Sequence, residues 1–191
     1  IYLRNSNDNG TTWTAAQRIN DDAAGRSQFF PRFAVDPTTG LLAASWFDCR
    51  NDNGDGLAGD TNNIANDDVQ FYATYSSDGG VSFVANFRVS DGTSNAVSAV
   101  DPNEFADYTA LDFYGGKFYP CWPDNSNSSG DNPNGALSYL DIYTVPVTVT
   151  AAPAIFSART ATGYANTAFS YQIVATHSPL SYGASGLPAG L

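Results

Sequence analysis

The sequence contains no methionine, one histidine, one glutamate and only eight lysine and arginine residues among its 191 positions. With 19 acidic residues the formal net charge is −11, which argues against nucleic acid and anionic membrane surfaces as partners. It has no apolar run of the roughly 18 residues needed to span a bilayer, so no membrane insertion is expected. Because nearly all the acidity is aspartate, it points to turns and cation sites rather than helices.

Aromatic residues make up 14% of the chain, and the intervals between them are rich in Gly, Asn, Asp, Ser and Thr. This composition, with apolar and polar residues alternating between turn signals, predicts an all-β fold. The expected strands lie near 1–6, 12–19, 30–36, 41–48, 69–76, 82–90, 108–113, 117–123 and 139–149. No segment before residue 150 has a helical period.

Two motifs occur twice. Residues 6–13 (Ser-Asn-Asp-Asn-Gly-Thr-Thr-Trp) match residues 76–83 (Ser-Ser-Asp-Gly-Gly-Val-Ser-Phe), 70 positions later. Residues 44–48 (Ala-Ser-Trp-Phe-Asp) match residues 120–124 (Pro-Cys-Trp-Pro-Asp), 76 positions later. Two features with nearly the same period indicate one structural unit used repeatedly.

The first motif predicts a tight hairpin. Its aspartate accepts hydrogen bonds from amides of its own loop, its glycine supplies a positive φ, and its aromatic residue packs under the turn. These residues are therefore expected to be structural. Core packing is likewise expected for the three tryptophans, Trp13, Trp46 and Trp122.

The first motif is the Asp box, and residues 1–150 resemble the Asp-box β-propellers of the sialidase type. The resemblance implies a partial propeller of about two and a half blades. It makes residues 1–19 the end of one blade, 30–90 a complete blade with an Asp-rich insertion at 50–68, and 107–149 three strands of a further blade.

Residues 151–191 differ in composition and resemble the Ig-like domains of long bacterial surface and secreted proteins. The resemblance covers residues 155–191, including Leu-Pro-Ala-Gly-Leu at 187–191. It implies the first part of a β-sandwich, so both ends of the sequence are expected to lie inside a longer polypeptide. The same resemblance implies a bacterial protein that is secreted or displayed at the cell surface.

The sialidase resemblance also suggests a catalytic residue. Residues 107–111 (Asp-Tyr-Thr-Ala-Leu) look like the family's Tyr-Ser-x-Leu segment, which would make Tyr108 the nucleophile. However, the family holds the substrate carboxylate with three arginines, and the stretch matching one of them reads Asn-Asp-Asp at 66–68. The family's Phe/Tyr-Arg-Ile-Pro motif is also missing. The favoured interpretation is that Tyr108 is a packed or hydrogen-bonded strand residue.

The insertion after the first Trp-x-Asp motif is the candidate metal site. Oxygen-bearing side chains stand at every second position, 51, 53 and 55, and Gly56 follows, as in the first half of a calcium loop. Asn62 replaces the glutamate expected at the twelfth position. The candidate Ca²⁺ ligands are Asn51, Asp52, Asn53, Asp55 and Asp60. The alternative is an ion-free loop of Asx turns.

The two cysteines allow two interpretations. Cys49 and Cys121 lie at odd offsets from the two matched tryptophans, so both side chains face the same side of their strands. A disulfide between neighbouring blades fits a secreted chain. Two separate buried thiols are the alternative.

Two functions remain open from the sequence. The first is a non-catalytic extracellular module for display, adhesion or glycan binding, with glycans or other copies and parts of a larger surface protein as partners. The second is an exo-glycosidase of the sialidase type whose remaining active-site residues lie outside this chain. The missing arginines favour the first.

Overall fold

The computed structural model describes residues 1–23, 25–99, 105–137, 139–149, 155, 157–158, 160–164, 166–175 and 182–183. The chain divides into two units, Ile1–Val149 and Thr150–Leu191. The regular secondary structure of the described residues consists of β-strands and β-bridges and includes no helix. This confirms the all-β prediction. Consequently no described segment is a helix of the length and apolarity that crossing a bilayer requires.

Ten of the eleven described strands of the first unit overlap predicted segments, although several are shorter than expected. They are β1 (Tyr2–Leu3), β2 (Gln17–Arg18), β3 (Gln28–Val35), β4 (Leu42–Asp48), β5 (Asp68–Ser76), β6 (Phe87–Arg88), β7 (Ser94–Asn95), β8 (Ala110–Tyr114), β9 (Lys117–Asp124), β10 (Asp141–Thr144) and β11 (Val147–Thr148). The expected strands at 12–19 and 82–90 shrink to β2 and β6, because an Asp-box turn occupies the first part of each. The two-residue strand β7 was not predicted.

The longest strands form the central sheet, β3 to β7. Strands β3, β4, β5 and β6 are neighbours in that order and antiparallel, and β7 pairs with another part of β5. Apart from one residue in each, β4 and β5 are buried along their length. Their aromatic and small side chains suit strands that are covered on both faces.

A second sheet, the C-terminal sheet, contains β8 to β11. Strand β9 pairs with β8 at one edge and with both β10 and β11 at the other. Residues 145 and 146 (Val-Pro) separate β10 from β11, and proline cannot donate a ladder hydrogen bond. The N-terminal pair, β1 with β2, completes the described sheets of this unit.

The sheets stack face to face, with the central sheet in the middle. On one face, Phe47 and Phe71 pack against Trp122 of the C-terminal sheet, and the Phe71 and Trp122 rings stack with their centroids 4.9 Å apart. On the other face, Trp46 packs with Ile19, next to the N-terminal pair. Full burial of one such side chain contributes about 1.5–3 kcal/mol, so these contacts form the core of the unit.

The first Asp box forms the hairpin predicted from its sequence. Asp8 Oδ1 accepts a hydrogen bond from Thr12 N at 2.8 Å, and Asp8 Oδ2 accepts one from Thr12 Oγ1 at 2.6 Å. Gly10, with φ 85°, donates from its amide to Ser6 Oγ at 2.7 Å. These short contacts close the turn without help from any other part of the chain.

The second Asp box repeats these contacts between β5 and β6. Asp78 Oδ1 accepts from Ser82 N at 2.9 Å, Asp78 Oδ2 accepts from Ser82 Oγ at 2.5 Å, and Gly80 N donates to Ser76 Oγ at 2.8 Å. In both boxes hydrogen bonds from the side chain and the amide four residues later lower the aspartate pKa, to about 2. The sequence repeat is therefore a repeat of structure.

The Trp-x-Asp motif repeats in the same way. Trp46 Nε1 donates to Asp48 Oδ2 at 2.8 Å, and Trp122 Nε1 donates to Asp124 Oδ2 at 3.1 Å. Both tryptophans are buried, as expected. Trp13 is different: its side chain is 55% exposed, and its Nε1 donates to Gly10 O at 3.0 Å. The expectation of core packing for Trp13 was wrong, because the ring closes its own turn at the surface.

The cysteines are both free thiols, so the disulfide alternative was wrong. Cys49 is buried in the cluster that includes Phe47 and Trp122. Cys121 precedes Trp122 on β9 and therefore faces the opposite side of that strand. Positions that face the same way on successive stacked sheets are kept apart by a sheet spacing of about 10 Å.

The second unit is described at few positions. Ile155 and Ala175 form an antiparallel bridge, and Ser157 N donates to Val174 O at 3.2 Å. The Leu-Pro-Ala-Gly-Leu segment at 187–191, which supports the Ig-like interpretation, lies outside the described residues.

We predict that Asp78→Asn lowers the free energy of unfolding by about 1 kcal/mol at neutral pH, because it removes a charged acceptor from two hydrogen bonds. The depressed Asp78 pKa stabilises the fold above about pH 4, and this contribution is lost as the pH falls towards 2. The difference in the free energy of unfolding between wild type and variant, measured by urea denaturation, should therefore become smaller in acid. Asp91→Asn, at an exposed aspartate outside both boxes, is the control. An equal effect of both substitutions would contradict the prediction.

We also predict that the Cys49 thiol does not react with a thiol reagent at pH 8 in the folded protein. Its burial raises its pKa to about 12, so almost no thiolate is present. Two thiols should become reactive after denaturation without a reductant. Finding none in the denatured, unreduced chain would show that a disulfide forms after all.

Candidate functional site

The Asp-rich insertion runs from the end of β4 to the start of β5 and places its first residues against the sheet. Asp48, the last residue of β4, accepts a hydrogen bond from Arg50 Nη2 at 2.7 Å. The Arg50 guanidinium also lies over the Tyr72 ring, 4.1 Å from its centroid. These contacts fix where the loop leaves β4.

Three buried carboxylates meet where the insertion returns to the sheet. Asp52, Asp60 and Asp68 each offer an oxygen, and these oxygens lie within 4.8 Å of one another. Two oxygens that each lie about 2.4 Å from a calcium ion are at most about 4.8 Å apart, so the spacing suits one hard cation. We call these three residues the carboxylate triad, and they could hold a metal ion.

Backbone amides hold the triad in place. Asp52 Oδ2 accepts from the amides of Asp67 and Asp68 at 2.6 and 2.7 Å, which joins the two ends of the insertion. Asp60 Oδ2 accepts from Gly56 N at 2.9 Å. Asp68 accepts from Thr61 N at 2.5 Å and from Thr61 Oγ1 at 2.8 Å. The oxygens are therefore positioned by the fold of the loop.

One oxygen of the triad is unsatisfied. Asp52 is 1% exposed, and its Oδ1 has no hydrogen-bond partner among the described residues. A buried carboxylate oxygen without a partner is costly unless a proton donor or a cation occupies the position beside it. This atom is the strongest indication that the triad takes a ligand.

The electrostatics of the triad agree with that indication. Burial raises the pKa of Asp68, against the opposing effect of hydrogen bonds from Thr61 and Asn95, and the nearby Asp52 charge raises it further. Hydrogen bonds from loop amides, that of Gly56 first, lower the pKa of Asp60. Like charges held this close together repel unless a proton or a cation intervenes.

The sequence candidates divide between the triad and the loop surface. Asp52 and Asp60 belong to the triad. Asp55 and Asn53 are exposed, and Asp55 Oδ1 accepts from Leu57 N at 3.0 Å, as in an Asx turn. Asn51 is directed to the sheet, where its Nδ2 donates to Gln70 Oε1 at 2.5 Å and to Tyr72 OH at 3.0 Å. One loop thus contains both an Asx turn and a group of carboxylates that could hold a metal ion.

Asp68 was missed because the candidates were sought by spacing within residues 48–62. It is the first residue of β5 and is fully buried. A charged residue at the start of a strand that is otherwise uncharged is the signal that could have found it.

Tyr108 lies just before β8 and is 79% exposed. The favoured interpretation, a packed or hydrogen-bonded strand residue, was therefore wrong, because Tyr108 is exposed and precedes the strand. The neighbouring Thr109 is the buried residue, and its carbonyl accepts from Arg32 Nε at 2.6 Å. The structure thus brings Tyr108 into none of the clusters described above.

A groove of about 430 Å³ runs along β10. Strand β10 forms one wall and the turn at 129–133 lies opposite. Its polar groups include two carboxylates and three hydroxyls, from Asp131, Asp141, Ser129, Tyr143 and Thr144. The groove lining includes neither Tyr108 nor the triad.

Comparison with known proteins gives no assignment: no family model, curated protein or solved structure matches the chain.

We predict that Ca²⁺ binds the wild-type protein and raises its melting temperature, because the ion neutralises the triad and satisfies Asp52 Oδ1. Asp68→Asn should weaken binding by at least about tenfold, since cation affinity depends on the number of charged ligands. Isothermal titration calorimetry and thermal unfolding with and without chelator measure these effects.

Asp55→Asn is the matched control, because it removes one negative charge from the exposed part of the same loop. It should bind Ca²⁺ nearly as well as the wild type. If Asp55→Asn weakens binding as much as Asp68→Asn, the effect is a general one of loop charge, and the triad is not the site.

Proposed function

We propose that this chain is a non-catalytic extracellular module of a larger bacterial protein, stabilised by calcium and used for display, adhesion or glycan binding. The observation that carries the proposal is the use of its acidic side chains. The Asp-box turns are held by Asp8 and Asp78, and Asp48 accepts a hydrogen bond from Trp46. The triad residues are buried and accept hydrogen bonds from backbone amides. Aspartates committed in this way support a scaffold rather than acid–base chemistry.

Three of the arginines favour the same conclusion. A sialidase-type site needs arginine side chains that are free to grip a substrate carboxylate. Here Arg50 is paired with Asp48 and Asp21, and Arg32 donates to a backbone carbonyl. Arg4 also donates to a backbone carbonyl, that of Thr14, at 2.7 Å.

For the architecture, we propose a partial Asp-box propeller of the sialidase type followed by part of an Ig-like sandwich. Three antiparallel sheets that stack in chain order support the propeller, as does the identical geometry of the two Asp boxes. A four-stranded blade corresponds to β3–β6, while the N-terminal pair and the C-terminal sheet correspond to incomplete blades.

We take the ion to be calcium. The triad offers only oxygens, on an irregular loop, and Ca²⁺ accepts such ligands in flexible geometry, whereas Mg²⁺ demands a near-ideal octahedron and retains its waters. The titration above, repeated with Mg²⁺, tests this choice. Tighter binding of Mg²⁺ than of Ca²⁺ would contradict it.

Glycans are the ligands that the groove along β10 suits best. Its carboxylates and hydroxyls can accept and donate hydrogen bonds to sugar hydroxyls, while Ile142 gives an exposed apolar contact. A net charge of −11 disfavours anionic polymers, so neutral saccharides are the expected class.

We predict that the protein does not hydrolyse a fluorogenic sialoside, with or without Ca²⁺. A turnover signal that disappeared in Tyr108→Phe would overturn the proposal and favour the exo-glycosidase alternative. Tyr114→Phe is the control, because Tyr114 is also an exposed tyrosine of the β8 region. A signal that persisted equally in both variants would indicate a contaminating enzyme.

A further inference from the structure

The carboxylate triad is connected to a strand outside its own loop. Asp68 pairs with Asn95 in the ladder between β5 and β7, and Asn95 is fully buried. Strand β7 has only two residues, so its ladder with β5 contains only two residue pairs. A strand this short needs support from its other side.

Asn125, the residue after β9, provides that support. Its Oδ1 accepts from Asn95 N at 2.9 Å, and its Nδ2 donates to Asn95 O at 2.8 Å. The side chain thereby imitates the backbone of a pairing strand. Asn125 N also donates to Ser94 Oγ at 3.1 Å. Strand β7 is thus held between β5 of the central sheet and the end of β9 in the C-terminal sheet.

One unsatisfied group lies at the triad end of this connection. Asp52 Oδ1 lacks a hydrogen-bond donor among the residues that the structure describes, and Asp52 is 1% exposed. A buried acceptor oxygen left unpaired in this way marks a position that a cation can occupy.

Resting on the calcium site proposed above, we infer that Ca²⁺ held by Asp52, Asp60 and Asp68 stabilises the junction between the central and C-terminal sheets, through β7 and Asn125. The ion fixes Asp68 at the start of the β5–β7 ladder. The ladder in turn positions Asn95 for its two bonds with Asn125.

Hydrogen exchange of the wild-type protein, with Ca²⁺ and with chelator, tests the inference directly. The amides of Asn95 and Asn125 should exchange roughly tenfold or more slowly with Ca²⁺, because local opening of β7 becomes less frequent. The amides of β8, which packs against β3 rather than β7, should change little. Calcium binding without slower exchange at residues 95 and 125 would overturn the inference and leave the calcium site standing. No binding at all would overturn both.

Reciprocal coupling gives a second test. If the ion stabilises the junction, weakening the junction must weaken ion binding by the same factor. Asn125→Ala should therefore lower the Ca²⁺ affinity by about fivefold or more. Asn132→Ala is the control, because Asn132 is also buried and follows β9 but makes its hydrogen bonds within residues 127–139. Equal affinities in wild type and both variants would overturn the inference. If Asn125→Ala does not fold, the exchange experiment decides alone.

Discussion

The fold depends on carboxylate oxygens that accept hydrogen bonds from amides a few residues along the chain. Asp78 binds the amide of Ser82, Asp48 that of Arg50 and Asp124 that of Ser126, each at 2.7–2.9 Å. Each such bond fixes a turn locally, before any contact with a distant segment forms. The long strands between the turns then pair in sequence order, which needs no crossover. A chain so rich in aspartate and so poor in glutamate can therefore be entirely β.

The stacking of the sheets follows from the alternation of side chains along β4 and β5. Neighbouring residues such as Trp46 and Phe47 point to opposite faces, and both faces are covered. Equivalent residues of successive sheets point in the same direction: Trp46 faces the N-terminal pair, and Trp122 faces the central sheet. This explains both the Phe71–Trp122 contact and the separation of the two thiols.

The sequence was sufficient for the features that depend on local spacing. The Asp boxes and the Trp-x-Asp pairs could be predicted because their hydrogen bonds span four residues or fewer. Most strands could be predicted because apolar residues alternate or cluster between turn signals. Features that depend on distant segments could not. Asp68 joins Asp52 only because β5 returns beside the loop, and β7 is a strand only because β5 and Asn125 flank it. Trp13 and Trp46 both donate a hydrogen bond to a residue two or three positions away, yet only Trp46 is covered by a second sheet.

The triad differs from the Asp-box aspartates in one physical respect. Asp8 and Asp78 are exposed, so water can solvate the charge that their hydrogen bonds do not neutralise. Asp52 and Asp68 have no such access, yet their positions are fixed by the amides that join the two ends of the insertion. The loop thus places negative charge where neither solvent nor a described basic side chain offsets it. Folding of the insertion and binding of a cation are therefore expected to be coupled. The folded loop brings the buried carboxylates together, and a bound cation neutralises the charge that they concentrate.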